Sequence, residues 1–202
     1  MVIDNIINLI IYYMLSLSDY ITREFTVNGT RSNRIILFDV DDTLIHTTAQ
    51  IHILKYGKFL KKISNADYNE YKLGPGEEFD YTEFDDPKIL DKEEFTKYWQ
   101  TLKREYRKGT HIGIITARGD CDMIYNFFKK KGIEIKKELI FAIGDPKLKL
   151  VGSVAKRKAT IISKLAWLGY RTFIFFDDNE ANLKSAKNLE KTYNIKVIPV
   201  KA

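Results

Sequence analysis

The sequence predicts an α/β protein in which a parallel sheet is covered by helices on both faces. Two observations lead to this fold class. The first is a set of short runs that are apolar throughout, as expected of strands buried on both faces: "IILF", "IGII", "LIFAI" and "FIFF". The second is that helical patterns separate the last three runs, which is typical of consecutive βαβ units.

Length and composition are those of a single globular domain. The chain has 202 residues, of which 45% are hydrophobic and 30% charged, which is ordinary for a soluble protein. We divide it into an extension at 1–34 and a main domain at 35–202, with an insert at 44–110. The single cysteine, Cys121, excludes an intrachain disulfide and predicts a reducing, cytoplasmic location.

Charge is spread unevenly along the chain. The formal net charge is +6, but residues 77–94 hold nine acidic and two basic residues, so the rest of the chain carries a net charge of +13. A basic surface of this kind could steer a phosphate-bearing partner towards the protein. A lysine-rich solvated surface explains the same charges equally well.

The first 21 residues have apolar side chains spaced by three and four, which predicts a helix. We expect it to pack on the domain or on a second copy of the chain, or to dock on a partner or a membrane surface. Its longest uninterrupted apolar run, Leu9–Leu15, is too short to span a bilayer. No basic residue precedes Arg23, so the segment lacks the charged start of a signal peptide.

Between the extension and the helical second half, the predicted elements are mainly extended. A strand and a turn at Asn28–Gly29 lead into the first buried strand, Ile35–Phe38. Alternation of apolar and polar residues around Tyr56–Gly57 predicts a β-hairpin, and the acidic segment "LGPGEEFDYTEFDDP" predicts irregular structure. Residues 91–109 then form an amphipathic helix, with Asp91 as its N-cap and a glycine just past its end.

In the second half, strands and helices alternate. The predicted elements are a strand in "HIGIITARG", a helix at Met123–Lys131, a strand in "ELIFAIGD", a helix at Lys156–Leu168, a strand in "RTFIFFDD", a helix at Asn182–Tyr193 and a last strand in "IKVIPV". Right-handed crossovers place the carboxyl ends of all these strands at one edge of the sheet, where ligands bind in such folds.

Polar side chains follow the predicted strands at this edge. They are Asp39, Asp41 and Asp42 after the first strand, Thr116 after the second, Asp177 and Asp178 after the fourth, and Lys156 and Lys158 near a helix start. Two carboxylates 4 Å apart repel by roughly 4 kcal/mol at an effective dielectric constant of 20. A hard divalent cation such as Mg²⁺ relieves that repulsion and leaves room for a substrate phosphate. A carboxylate beside a phosphate held in this way can attack phosphorus and form an aspartyl-phosphate.

Three segments together resemble the haloacid dehalogenase (HAD) superfamily. "DVDDT" resembles its first motif, "IITAR" its second with Thr116 in the hydroxyl position, and "FIFFDDNEANL" the double-aspartate form of its fourth. Lys158, 19 residues before Asp177, matches the lysine of the third motif, with Lys156 as the alternative. The resemblance covers residues 35–200 and implies a Rossmann-like HAD fold with a β-hairpin flap and a small insert after the first strand.

The resemblance also implies a role for each residue. Asp39 would be the nucleophile, and Asp41 would act as general acid and then as general base. Thr116 and Lys158 would bind the phosphoryl group. Mg²⁺ would be held by Asp39, the backbone carbonyl of Asp41, and one or both of Asp177 and Asp178.

Two details of the first motif refine this picture. An aspartate at position 41 favours hydrolysis, because family members that retain the phosphoenzyme, such as ion pumps, generally lack it. Asp42 stands where many members have glycine, so we expect it to shape the turn and assign it no chemistry. Response-regulator receivers combine similar residues, but their aspartate pair follows the first strand and their phosphorylated aspartate a later one. Here the order is reversed.

The insert is small for a full cap domain, and family members with little cap tend to act on macromolecules. Lysines on the flap then make a nucleotide or polynucleotide phosphate end a reasonable substrate: Lys55, Lys58, Lys61 and Lys62. This arrangement is similar to the 3′-phosphatase domain of polynucleotide kinase–phosphatases and to HAD-like proteins of large bacteriophages. A phosphoprotein phosphatase is an alternative, as is a HAD-fold binding or structural module recruited through the N-terminal helix.

Overall fold

A five-stranded parallel sheet forms the centre of the molecule. The computed structural model describes residues 26–27, 30–31, 33–68 and 70–202. In spatial order the strands are β10 (Ile140–Ala142), β9 (Ile112–Thr116), β3 (Arg34–Phe38), β11 (Thr172–Asp177) and β12 (Lys196–Lys201). Helices flank the sheet, so the fold is α/β and Rossmann-like, as predicted. The carboxyl ends of the five strands therefore share one edge.

The central strands are buried on both faces. Ile35 to Phe38 in β3 and all five residues of β9 are buried, which explains why their sequences lack any alternation of polar residues. The rings of Phe38 and Phe176 stack with centroids 4.6 Å apart across β3 and β11. At Gly113 an added Cβ would lie 2.9 Å from Leu37 Cδ2, so the close packing here requires glycine.

An insert between β3 and β9 forms a small antiparallel sheet. The strands β5 (Ile51–Lys55) and β6 (Lys58–Ile63) form the predicted hairpin, here called the flap, and β7 (Glu77–Asp80) pairs with the free edge of β5. The turn residues Tyr56 and Gly57 have φ of 49° and 73°, as a two-residue hairpin turn requires. Short elements complete the insert: β4 (Ile45–His46), α1 (Asn65–Tyr68), a 3₁₀ turn at Thr82–Asp85, α2 (Pro87–Leu90) and β8 (Glu94–Phe95).

The longer helices begin at side-chain caps. They are α3 (Lys97–Arg107), α4 (Cys121–Lys130), α5 (Val154–Trp167) and α6 (Glu180–Lys187), followed by the short α7 (Leu189–Tyr193). The caps of the first four accept hydrogen bonds from backbone N–H groups in the first turn, which stabilises each helix start: Thr96, Asp120, Ser153 and Asn179.

Three element predictions were wrong in detail. Asp91 is not the cap of α3, because Glu94–Phe95 is held extended by pairing with Ile45–His46 and the helix begins after Thr96. The acidic segment is not wholly irregular, because β5 offers its edge to β7. The helix predicted at Asn182–Tyr193 begins at Glu180 and is divided at Asn188 into α6 and α7.

The predictions for the N-terminal extension fall mostly outside the described residues. This applies to the helix at residues 1–21 and to the turn residues Asn28 and Gly29. On either side of that turn, β1 (Thr26–Val27) pairs antiparallel with β2 (Thr30–Arg31). Among the described residues, no helix is both long enough and apolar enough to cross a membrane.

Truncating a side chain in the middle of the sheet should destabilise the protein strongly. Ile114 is fully buried in β9, so Ile114→Ala should lower the free energy of unfolding by about 2–5 kcal/mol through lost burial and an unfilled cavity. Urea denaturation followed by circular dichroism measures this. As a control, Ile198→Ala on the outer strand β12, at 37% exposure, should cost less; an equal loss would contradict the packing described here.

Candidate active site

Three carboxylates meet at the carboxyl edge of the sheet. Asp39 follows β3, Asp177 ends β11, and Asp178 follows it directly. Each offers one carboxylate oxygen to a group whose members all lie within 4.8 Å of one another. The parallel pairing of β3 with β11 produces this arrangement, as the sequence predicted. Three carboxylate oxygens at this spacing could hold a metal ion.

Lys158 from α5 lies between two of these carboxylates. Its Nζ is 2.9 Å from Asp39 Oδ2 and 2.8 Å from Asp177 Oδ2, and its side chain is 1% exposed. Burial alone would lower the pKa of Lys158, but the two carboxylates outweigh it and raise the pKa. The ammonium therefore stays charged. Lys156 is exposed, so Lys158 is the lysine that reaches the cluster.

Asp177 is held in one orientation by three donors. Its Oδ2 accepts from Lys158, while its Oδ1 accepts from the backbone N–H of Asn179 at 2.9 Å and from Asn182 Nδ2 at 2.8 Å. A buried carboxylate that accepts three hydrogen bonds is well satisfied. Asn182, in the first turn of α6, was not predicted as a site residue.

The other two carboxylates carry shifted pKa values. Burial raises the pKa of Asp39 well above its ordinary value of 3.8; Lys158 opposes the shift, and the neighbouring aspartates add to it. Burial and the charge of Asp177 raise the pKa of Asp178 to about 6. Both shifts follow from negative charge concentrated in a desolvated site, and a bound cation would reverse them.

Asp41 lies beside this cluster and forms a buried ion pair with Arg118. Arg118 Nε donates to Asp41 Oδ2 at 3.0 Å, and Nη2 donates to Oδ1 at 2.6 Å. The third guanidinium nitrogen, Nη1, donates to the backbone carbonyl of Phe84 in the insert. The carboxylate of Asp41 is thus held by an arginine, and the expectation that its backbone carbonyl binds Mg²⁺ stays a prediction.

Arg118 is a site residue to which the sequence analysis gave no role. Its guanidinium is completely buried, and it joins the first-motif segment to the insert. The sequence offered one indication that Arg118 belongs to the site. It lies two residues after Thr116, at the end of a strand on the same edge of the sheet. That position indicates proximity to the site, but the choice of Asp41 as its partner depends on a contact 77 residues away in the chain.

Two further predicted residues take structural positions. Asp42 has a φ of 55°, and its carboxylate accepts from Asn65 Nδ2 at 2.8 Å and from the backbone N–H of Thr47 at 3.3 Å. It therefore shapes the turn, as expected. Thr116 ends β9 and is fully buried; its hydroxyl accepts from the N–H of Arg118 at 3.3 Å. Its predicted contact with a phosphoryl group stays a prediction.

A cavity of about 440 Å³ opens over the carboxylates, between the sheet edge and the insert. This volume is within the range of small-molecule sites. Its lining combines charged groups at the sheet edge with aromatic side chains from the insert, including Asp39, Asp178, Lys158, Arg157, Tyr68, Tyr81 and Phe84.

The flap lysines are partly neutralised by the acidic segment of the insert. Lys62 Nζ is 2.5 Å from Glu83 Oε1, Lys55 lies opposite Glu77 in the β5–β7 register, and Lys61 Nζ lies 4.3 Å from the centroid of the Tyr71 ring. The flap is therefore less basic than its own sequence suggests, because β7 and the 3₁₀ turn after it bring Glu77 and Glu83 to its lysines.

Comparison with known proteins adds little to this description. No protein-family model matches the chain, and no curated protein matches it. Among solved structures, the hypothetical protein PH1952 from Pyrococcus horikoshii OT3 matches over 82% of this chain, with 12% sequence identity and a TM-score of 0.28. The match spans 40% of that longer protein. Similarity at this level supports no conclusion about function.

Removing one charge from the cluster should stabilise the metal-free protein in a pH-dependent way. The pKa of Asp178 is raised from 3.8 to about 6, so folding favours its protonated form, and its contribution to stability falls as the pH rises from about 4 to about 6. Asp178→Asn should therefore raise the unfolding temperature in EDTA at pH 7.5 and have much less effect at pH 4.

Thermal unfolding at both pH values measures this. Glu78→Gln, which removes an exposed carboxylate of β7, is the matched control and should change stability by no more than about 0.5 kcal/mol. An equal gain from Asp178→Asn at both pH values would contradict the proposed repulsion.

Breaking the buried ion pair should be costly. Arg118→Ala leaves the carboxylate of Asp41 buried without its partner and should lower the free energy of unfolding by about 3–5 kcal/mol. Urea denaturation measures the loss. Arg104→Ala removes a guanidinium from an ion pair in which Arg104 is 62% exposed, and should cost about 1 kcal/mol or less. Similar losses in the two variants would show that the Asp41–Arg118 pair is not structurally important.

Proposed function

We propose that this protein is a Mg²⁺-dependent phosphohydrolase of the HAD type, which acts through an aspartyl-phosphate on Asp39. The observation that carries the proposal is the position of Asp39: its carboxylate contacts a buried lysine at 2.9 Å and shares a group of oxygen ligands with Asp177 and Asp178. The order of the sequence motifs along the chain is a second, independent support.

A nucleophilic carboxylate must be ionised, although burial opposes ionisation at Asp39. Lys158 supplies one positive charge directly against it. Asp39, Asp177 and Asp178 would hold Mg²⁺, together with the backbone carbonyl of Asp41 as the family resemblance implies. The ion would supply the further positive charge that neutralises the oxygens of the phosphoryl group during transfer.

The same lysine is suited to hold the phosphoryl group. Its Nζ has three donors, and two of them are directed to Asp39 and Asp177. A third donor is therefore left for a phosphate oxygen that approaches Asp39. An ammonium in a desolvated site interacts with phosphate more strongly than one in water, because the low dielectric constant strengthens the attraction.

Asp41 is suited to the proton transfers. In its protonated form it gives its proton to the leaving oxygen, and the resulting carboxylate then removes a proton from the water that attacks the acyl-phosphate. The bidentate contact with Arg118 fixes the plane of the carboxylate. A carboxylate has about four lone-pair sites, so two hydrogen bonds to Arg118 leave sites on the oxygens for the transferred proton. Arg118 is a positioning residue in this scheme.

The proposal predicts phosphate release that requires both Mg²⁺ and Asp39. Incubation with a panel of phosphate monoesters, including nucleotides and 3′-phosphorylated oligonucleotides, should release inorganic phosphate, and EDTA should abolish the release. Asp39→Asn should remove activity to the background level, because an amide is not a nucleophile here. Asp41→Asn should lower turnover by about 10²–10⁴-fold, as expected for the loss of a general acid–base group.

Asp42→Asn is the matched control, because it neutralises the adjacent carboxylate, whose contacts are with Asn65 and Thr47. It should keep turnover within a few-fold of the wild type. If wild-type protein releases no more phosphate than Asp39→Asn from any ester of the panel, the protein is not a phosphohydrolase of this kind.

A further inference from the structure

The wall of the cavity that faces the carboxylates is aromatic and internally braced. Tyr81 Oη donates to Tyr68 Oη at 2.9 Å, and the two rings meet edge to face with centroids 5.9 Å apart. Phe79 packs behind both, at 4.9 Å from the ring of Tyr68 and 6.0 Å from that of Tyr81. Phe84, which is buried, continues the wall towards Arg118. These rings are held in place without a ligand.

Arg157 adds a further cation to this cavity, beside Lys158 and Arg118. It precedes Lys158 on α5 and lines the same space. Its Nη1 donates to the carbonyl of Ile143 at 2.9 Å, while its Nε is buried and has no hydrogen-bond partner among the described residues. A buried donor without a partner is costly, and an anionic ligand would supply the missing acceptor. Two donors of Lys158 are directed to carboxylates and the third serves the reacting phosphate in the proposed function, so Arg157 is a separate group for a second anion.

We infer that this cavity binds a nucleoside phosphate that carries a second phosphate group. The reacting phosphate lies at Asp39 and Lys158, the base packs on the rings of Tyr68 and Tyr81, and the second phosphate contacts Arg157. The inference rests on the proposed function only for which phosphate group reacts. The contacts of the aromatic wall and of Arg157 do not depend on that function.

Each part of the cavity favours a nucleoside phosphate with a second phosphate group over other phosphate esters. A planar base offers a face to aromatic rings, which an aliphatic phosphate ester does not. A guanidinium binds phosphate oxygens through paired N–H groups, and a phosphotyrosine side chain has only the phosphate that reacts. The cavity, at about 440 Å³, has the size of a small-molecule site. Two sources supply such a second phosphate: a free nucleoside bisphosphate and the adjoining phosphodiester of an oligonucleotide end.

The lysines of the flap do not form a long basic surface that leads away from this cavity. Three of its four lysines, Lys62, Lys55 and Lys61, contact or face Glu83, Glu77 and Tyr71, so recognition is concentrated within the cavity. We therefore expect affinity to depend on the terminal nucleotide and its second phosphate, with little contribution from further nucleotides.

Binding to the full-length Asp39→Asn variant in the presence of Mg²⁺ tests the inference without turnover. Isothermal titration calorimetry would compare adenosine 3′,5′-bisphosphate with adenosine 3′-monophosphate, adenosine 5′-monophosphate, ribose 5-phosphate and phosphotyrosine. The bisphosphate offers a phosphate to Asp39 from either end of the sugar. It should bind about tenfold or more tightly than either monophosphate, and both monophosphates should bind more tightly than ribose 5-phosphate.

Two substitutions in the same background separate the parts of the cavity. Tyr81→Leu should weaken the three adenosine ligands by about tenfold and change ribose 5-phosphate little, because only the base loses its stacking surface. Arg157→Gln should abolish the preference for the bisphosphate over the monophosphates. Tyr125→Leu is the matched control: Tyr125 lies on α4, where its hydroxyl contacts Glu134, and its loss should alter no affinity.

A dinucleotide with a terminal 3′-phosphate distinguishes the two sources of the second phosphate. Binding at least as tight as that of the bisphosphate identifies an oligonucleotide end, and weaker binding identifies a free nucleotide; either supports the cavity as a nucleotide site. Phosphotyrosine binding as tightly as the bisphosphate would overturn the inference in favour of a phosphopeptide. Equal affinities before and after Tyr81→Leu, or no nucleotide binding, would also overturn it. If nucleotides bind as expected but wild-type protein hydrolyses none, the cavity assignment stands and the proposed hydrolase function fails.

Discussion

The site depends on the two ion pairs that Lys158 makes with Asp39 and Asp177. Both carboxylates are nearly inaccessible to water, and buried charges are costly unless they are paired and hydrogen-bonded. Lys158 offsets that cost only because α5 brings it to the carboxyl edge of β3 and β11. Its cation also makes the cluster suitable for phosphate, since one positive charge is already present where the negative charge of a phosphoryl group would arrive.

The second constraint is the connection between the sheet and the insert. Arg118 binds the carboxylate of Asp41 and the carbonyl of Phe84, and the backbone N–H of Gly119 donates to Asp85 Oδ1 at 3.0 Å. The loop after β9 thereby fixes both the candidate acid–base group and the aromatic wall of the cavity. One buried arginine therefore contacts both the proposed acid–base group and the proposed recognition surface.

Much of the fold and part of the site could be predicted from local sequence. Uninterrupted apolar runs indicated the parallel strands, and their polar ends indicated Asp39, Asp177 and Asp178 on one edge. The predictions that were wrong concern segments whose structure is decided by distant partners. Glu77–Asp80 is rich in acidic residues and poor in strand formers, yet it pairs with the free edge of β5. Asp91 is a good helix cap locally, but pairing of β8 with β4 holds the chain extended beyond it.

The sequence by itself determined that strands buried on both faces end in carboxylates, because hydrophobic burial and the right-handed crossover act on patterns that are local in the chain. Only the tertiary structure decided which groups those carboxylates meet. It placed Lys158 rather than Lys156 between Asp39 and Asp177, joined Arg118 to Asp41, and returned acidic residues to the lysines of the flap. The physical reason is that charge pairing is set by distances of a few ångströms between side chains, and such distances exist only after elements far apart in the chain have packed together.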